Sequence, residues 1–191
     1  AGAMSVTRGV PDTCALALHT PLGVVVHSGD FKLDDQPVDG RRTGMDRLAE
    51  LGKAGVAALL ADSTNVMRPG RAAPEEICRT GLREAFRQTK GRLFAAMFSS
   101  NIPRLQILLD LAYEEGRKVC LLGRSMERNV GVARELGKLH LPDDLFIDPK
   151  EIPLFEPRQV LVVCTGTQGE DMSALARVLR GEVKGLKMVS G

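Results

Sequence analysis

The sequence predicts an α/β protein built on a largely parallel sheet flanked by helices. Short apolar runs bounded by Gly, Pro, Asp or Ser recur along it: CALAL, VVVH, VAALLA, RLFAAMF, KVCLLG and VLVVC, each of strand length. From about residue 56 onward these alternate with stretches whose apolar residues fall three or four apart, as on one face of a helix. Strands apolar on both faces and separated by helices pack as a covered parallel sheet. Ligands then gather beyond the carboxyl ends of its strands.

Taken in order, CALAL (14–18), VVVH (24–27) and VAALLA (56–61) are the first strands. NVMRPGRAA (65–73), broken by Pro69 and Gly70, is the expected crossing between two lobes. Cys78, Leu82, Ala85 and Phe86 mark a helix, and RLFAAMF (92–98) the strand after it. Leu105, Leu108, Leu109 and Ala112 line the next helix, which Ser100 or Asn101 caps, Pro103 helps begin and Gly116 follows. After KVCLLG (118–123), Met126, Val130, Ala133 and Leu136 form another, with Ser125 as its expected cap and Gly137 past its end. VLVVC (160–164) then runs into TGTQGEDMSALARVL, a strand-loop-helix unit.

With 43% apolar and 26% charged residues in a chain of 191, the composition is that of an ordinary folded protein, long enough for one domain plus part of another. A net charge of +2 is too small to signal nucleic acid by itself. Cys14, Cys78, Cys120 and Cys164 are far apart and form no CxxC pair, so they read as buried thiols of a reducing cytosol. No apolar stretch approaches membrane-spanning length and no signal peptide is visible, which predicts a cytoplasmic protein with no membrane partner. Ala1-Gly2-Ala3 ahead of Met4 has the look of an expression scar, and the sequence stops after LKMVSG without a capping or tail signal. It reads as a fragment.

Polar clusters follow several strands: HSGD (27–30), DSTN (62–65), SSN (99–101) and TGTQGED (165–171). Each alone suits a structural turn; their recurrence at strand ends predicts a binding crevice. In the last of them Gly166 and Gly169 let the backbone approach a ligand, and the amides of the following helix suit a phosphate. The GxGxxG, P-loop and GxSxG patterns are missing, which argues against a nucleotide cofactor or a serine hydrolase. Asp30 has the chemistry of a metal ligand, yet HExxH, HxH and paired Cys ligands are absent, and a catalytic zinc takes about three protein ligands. His19, His27 and His140 read as structural or surface residues. Between Arg68 and Arg92 seven basic residues face Glu75, Glu76 and Glu84, either as a solvated face with Glu–Arg pairs or as a contact for nucleic-acid phosphates.

Several blocks in one order, HTPLGVVVHSGDFKLDDQPVDGRRT, LLADSTNVMRPG, FSSNIPRLQ, GRKVCLLGRSMERNV and CTGTQGEDMSALAR, resemble the middle of the ribonuclease J family, metallo-β-lactamase enzymes carrying an inserted β-CASP domain. The resemblance implies part of a metallo-β-lactamase αββα core over 1–70 and a Rossmann-like β-CASP domain over 71–191. It implies a metal-dependent enzyme that degrades RNA from 5′ to 3′ and also cuts internally, with two zinc ions, RNA as partner and a homo-oligomeric complete protein. Asp30 matches the aspartate that ligates both metals, with His27 as a flanking residue, and Asp62 matches the acidic residue of the first β-CASP motif, beside the active site. Ser99, Ser100 and Asn101, with Thr165, Gly166, Thr167, Gln168, Gly169 and Glu170, match loops facing the RNA and are expected to line one crevice.

The departures from the family pattern are specific. Its HxHxDH cluster and later histidines lie outside these residues, and where a T-H-S-I-P-D type segment supplies a metal histidine this chain reads Thr7-Arg8-Gly9-Val10-Pro11-Asp12. Arg8 stays protonated and cannot ligate; Gly44 and Asp171 also differ from the pattern. The chain alone is therefore expected to hold no zinc stably and to hydrolyse no RNA. Its RNA affinity should be weak, salt-dependent and set by phosphates, since six Phe and one Tyr form no stacking cluster. The rival expectations are a non-catalytic RNA-binding β-CASP homologue and an unrelated module that binds a phosphorylated ligand through TGTQGE.

Overall fold

The computed structural model describes residues 1–186 and divides the chain into two compact units, one of residues 1–77 and one beginning at Cys78. The first holds a four-stranded sheet of order β1-β2-β3-β4, from β1 (Gly2–Ser5), β2 (Cys14–Thr20), β3 (Gly23–His27) and β4 (Val56–Leu60). β2 and β3 form a hairpin. β1 pairs antiparallel with β2, whereas β4 runs parallel to β3, which requires the crossover that α1 (Met45–Ala54) supplies. The sheet is thus mixed rather than parallel.

Alternation along β2 sets its two faces apart. Ala15 and Ala17 point inward with Met4, Val6, Val26 and Leu51, while Leu16 and Leu18 point out and are 43% exposed. Two elements were not foreseen: β1, in the stretch read as a scar, and α1. The segment of α1 is short of apolar residues, only Leu51 is buried, and Gly44 at its N-cap offers no side-chain cap, so its periodic signal is faint. Residues 71–77 stay with the first unit because the Glu75 amide donates to the buried Asp34 carboxylate at 2.8 Å and Lys32 reaches the Glu75 carboxylate at 3.2 Å.

In the second unit β5 (Leu93–Ala96), β6 (Lys118–Leu122) and β7 (Val160–Cys164) form a fully parallel sheet of order β5-β7-β6. The central strand β7 is wholly buried, as its unbroken VLVVC requires. Around it lie α2 (Cys78–Gln88), α3 (Ile102–Glu114), α4 (Arg124–Glu135) and the short α5 (Ala174–Leu179). α3 buries Ile102, Leu105, Ile107, Leu108, Leu109, Leu111 and Ala112; α4 buries Met126, Val130 and Ala133. Asn101 caps α3, accepting the Arg104 amide at 3.2 Å. Gly116 and Gly137, with φ of 65° and 63°, take the left-handed conformation just past α3 and α4. Ser125 does not cap α4: the N-cap is Gly123, and Ser125 lies inside the helix.

The basic stretch proves to be only partly helical. Residues 65–74 are irregular, and the arginines of α2 pair with acidic residues on α3 or at its C-cap: Arg79 with Asp110, Arg83 with Glu114 and Arg87 with Glu115. Spaced by four, they form one row facing a matching acidic row. That pairing consumes much of the charge that suggested a nucleic-acid face.

Candidate functional site

In the first unit the parallel pair β3 and β4 places HSGD and DSTN side by side. The Ser28 amide donates to the Leu60 carbonyl at 2.9 Å, and the Ser28 hydroxyl accepts the Asp62 amide at 2.9 Å. Gly29, at φ 61°, turns the chain where a Cβ would stand 3.1 Å from the Cys14 carbonyl oxygen. His27 is committed locally, its Nδ1 accepting the Gly29 amide at 3.0 Å. Asp30 and Asp62 both line a cleft of about 730 Å³, together with Arg8, Lys32, Arg68 and Arg71.

Arg8 reaches that cleft because Thr7 is pinned. The Thr7 hydroxyl bonds to the Lys32 carbonyl and lies 3.0 Å from the Thr43 hydroxyl, the Asp34 amide donates to it at 3.2 Å, and the Thr7 amide donates to Thr43 Oγ1 at 3.0 Å. The next side chain, Arg8, forms an ion pair with Asp30. The Thr64 amide, donating to Asp62 Oδ1 at 2.8 Å, is the largest of the influences that hold the Asp62 carboxyl below its ordinary range; the Phe31 amide and the Arg8 charge add to it.

These side chains do not by themselves fit a zinc ion. Asp30 is held by a guanidinium, Asp62 is turned to a backbone amide, and His27 Nδ1 is occupied. Among the described residues no three His, Cys, Asp or Glu side chains converge in a group that could hold a metal.

In the second unit the three parallel strands end on one edge, so SSN after β5, the Gly123 turn after β6 and TGTQGE after β7 emerge together. The cavity there, about 630 Å³, lies between the last two loops and is lined by Gly123, Arg124, Ser125, Arg128, Thr165, Met172, Ala174 and Arg177. Of the residues expected to share one crevice only Thr165 lines it. Ser99 instead accepts a hydrogen bond from Asn129 at 3.1 Å, Asn101 is spent as a helix cap, and the Gln168 amide is bound to Glu170 Oε2 at 3.2 Å. Gly166, at φ 131°, sits where a Cβ would come within 2.8 Å of Ser173 Oγ and Leu175 Cβ.

The expected phosphate cradle at α5 is already filled from within. Its amides are taken by Thr165 and Ser173: Ala174 N to Thr165 Oγ1 at 3.4 Å, Leu175 N to the Thr165 carbonyl at 3.0 Å and Ala176 N to Ser173 Oγ at 3.2 Å. The positive charge comes from arginines that belong to none of the sequence motifs. Arg177 pairs with Glu182, but Arg124 and Arg128 have no acidic partner among the described residues. Two arginines in the first turns of α4 oppose the helix dipole, and that unfavourable placement was the available signal.

Membership rests on comparison with known proteins. The model of the ribonuclease J β-CASP domain matches residues 90–191. The chain is 42% identical over 187 residues to ribonuclease J of Mycolicibacterium smegmatis, covering 98% of this chain and 34% of that protein. It is 42% identical over 185 residues to ribonuclease J of a Synechocystis species, with 97% and 29% covered. For ribonuclease J of a Helicobacter pylori strain the identity is 41% over 177 residues, with 93% and 26% covered. The chain thus spans about a third or less of the relatives it matches. A solved protein of unknown function from Enterococcus faecalis, at 16% identity and a TM-score of 0.58 over 87% of this chain and 41% of that one, shares the fold alone. With matched blocks over nearly its whole length and a family model over its parallel-sheet unit, the chain belongs to the ribonuclease J family.

Proposed function

We propose that this chain is the RNA-engaging part of a nuclease that hydrolyses RNA phosphodiesters, comprising part of a metallo-β-lactamase core and the β-CASP domain. The observation that carries the reading is the pair Arg124 and Arg128, without an acidic partner among the described residues, at the carboxyl edge of the parallel sheet within the β-CASP match. A guanidinium offers a fork of donors that suits phosphate oxygens, and the surrounding cavity leaves room for a backbone. Thr165 lines the same cavity, and Ser99, Ser100, Asn101 and the loop from Gly166 to Glu170 leave the sheet at the same edge, where they would meet an RNA backbone and not its bases. For the parent protein the family reading adds a cytoplasmic, homo-oligomeric enzyme with two zinc ions and both 5′-to-3′ and internal cleavage. The chain alone grips RNA without turnover.

The test is an anisotropy titration of the 191-residue chain with a 5′-monophosphorylated RNA of ten nucleotides. Arg124→Ala with Arg128→Ala should weaken binding at least tenfold and flatten its salt dependence, by about two counterions for the pair. Unchanged affinity and salt slope would remove the basis of the reading. The rival reading, an RNA-binding homologue that does not cleave, is favoured by the Arg8–Asp30 ion pair.

A further inference from the structure

We propose that the cleft of the first unit binds an RNA phosphate without a metal ion, the Arg8 guanidinium supplying the positive charge at that point. The inference rests on RNA being the partner, as in the preceding reading, but on different residues. Where a metal ligand stands in the family pattern, this chain carries a side chain that is permanently charged and has donors only. Its placement is built, since the Thr7 and Thr43 network fixes the backbone immediately before it. Asp30, the one carboxylate that matches a metal ligand, is committed to Arg8.

The pair is poised for exchange. Its side chains are 44% and 58% exposed, and an ion pair so wetted adds little to stability. A phosphate oxygen can therefore take the guanidinium from Asp30 at little cost, gaining charge-assisted and bidentate hydrogen bonds. The lining favours an anion: Arg8, Lys32, Arg68 and Arg71 stand against Asp30 and Asp62. Lys32 is shared with Asp34 and Glu75, and Arg71 with Asp35, while Arg68 has no acidic partner among the described residues. Asp62, ionised but turned toward the Thr64 amide, has part of its charge answered within the loop.

The experiment is an anisotropy titration of the 191-residue chain with a 5′-monophosphorylated ten-nucleotide RNA, in EDTA and again with zinc. Arg8→Ala should weaken binding in EDTA about tenfold, the loss of one charge-assisted phosphate contact, with Arg8→Lys recovering part of it. Asp30→Ala should tighten binding several-fold by releasing Arg8, and zinc should add nothing. Thermal melts of each variant confirm that an exposed pair has been changed without unfolding. Wild-type affinity in Arg8→Ala, with loss in the Arg124 and Arg128 variants, overturns this inference and leaves the RNA reading standing. Binding that needs zinc and disappears in Asp30→Ala overturns it in favour of a metal site. RNA binding by none of the proteins, with or without zinc, overturns both.

Discussion

The Arg117 guanidinium lies 5.7 Å from the centre of the Phe86 ring and donates to the Phe86 carbonyl at 3.1 Å. It also donates to the carbonyls of Thr89 at 2.6 Å and Gly91 at 3.0 Å, so one side chain that is only 4% exposed closes the carboxyl end of α2. Cations belong at that end of a helix. Arg117→Ala should lower the stability of the second unit by about 3 kcal/mol, because buried carbonyls lose charged donors and a ring loses its cover. Arg117→Lys should recover less than half, having no planar fork. Denaturant titration measures both, and a loss below about 1 kcal/mol for alanine would show that water replaces the guanidinium.

The four cysteines should separate by reactivity. Burial pushes the Cys120 thiol up to about 12 and the Cys164 thiol up to about 11, whereas Cys14 is exposed and Cys78 half-buried. Only the thiolate attacks a disulfide reagent. A colorimetric thiol assay at pH 8 should register Cys14 and then Cys78 in the native protein, with Cys120 and Cys164 appearing only in denaturant. Four fast thiols without denaturant would contradict the packing of β6 and β7.

Asp62 ties the acid limb of stability to the strand-end turn. Its folded value lies below the ordinary 3.8, chiefly through the Thr64 amide, so its contribution is complete above 3.8 and is lost as pH falls through the lower folded value. Glu114 and Glu182, lowered first of all by hydrogen bonds from Arg83 and Arg180, behave alike below their ordinary 4.5. Asp62→Asn should flatten the fall in stability below about pH 4 and leave the slope between pH 6 and 8 unchanged. Equal acid slopes in the two proteins would rule the turn out as a contributor.

Gly166→Ala tests the loop after β7. A methyl group there meets Ser173 Oγ and Leu175 Cβ at 2.8 Å on a backbone at φ 131°, so strain and collision add. A loss of about 2 kcal/mol in denaturant titration is expected, with RNA affinity falling alongside as the Thr165 end of the cavity shifts. Gly169→Ala has no neighbour within 4 Å to strike, but its φ of 73° should still cost about 1 kcal/mol. A larger loss at Gly169 than at Gly166 would reverse the argument.

The sequence displayed those parts of the fold whose local pattern agrees with their burial. VLVVC is central because nothing in it tolerates water, and Leu105, Leu108, Leu109 and Ala112 lie on a buried helix as their spacing says. β1 and α1 escaped notice because GAMS is too short to alternate and α1 commits only Leu51 to the core. At the site, Asp30, Asp62 and Thr165 could be placed from strand ends. Arg124 and Arg128 are harder to read, since a charged residue on an amphipathic helix ordinarily marks its wet side and only their place against the helix dipole sets them apart. Nor does any local rule state that the amides of α5 would be claimed by Thr165 and Ser173.

The order β5-β7-β6 has a consequence for synthesis. Among the named strands of the described residues, β5 and β6 each pair with β7, which begins at Val160, far later in the chain than either; outside them, Val119 of β6 bridges Phe146. While a ribosome is extending the chain, both early strands wait with open edges for at least some seconds, at translation speeds of about 5–20 residues per second. Contacts so distant in sequence close slowly. The helix pair α2 and α3, joined by Arg79, Arg83 and Arg87 to their acidic partners, is an assembly that can form beforehand. TGTQGE follows the closing strand directly, so the arginine cavity exists only once the sheet is shut.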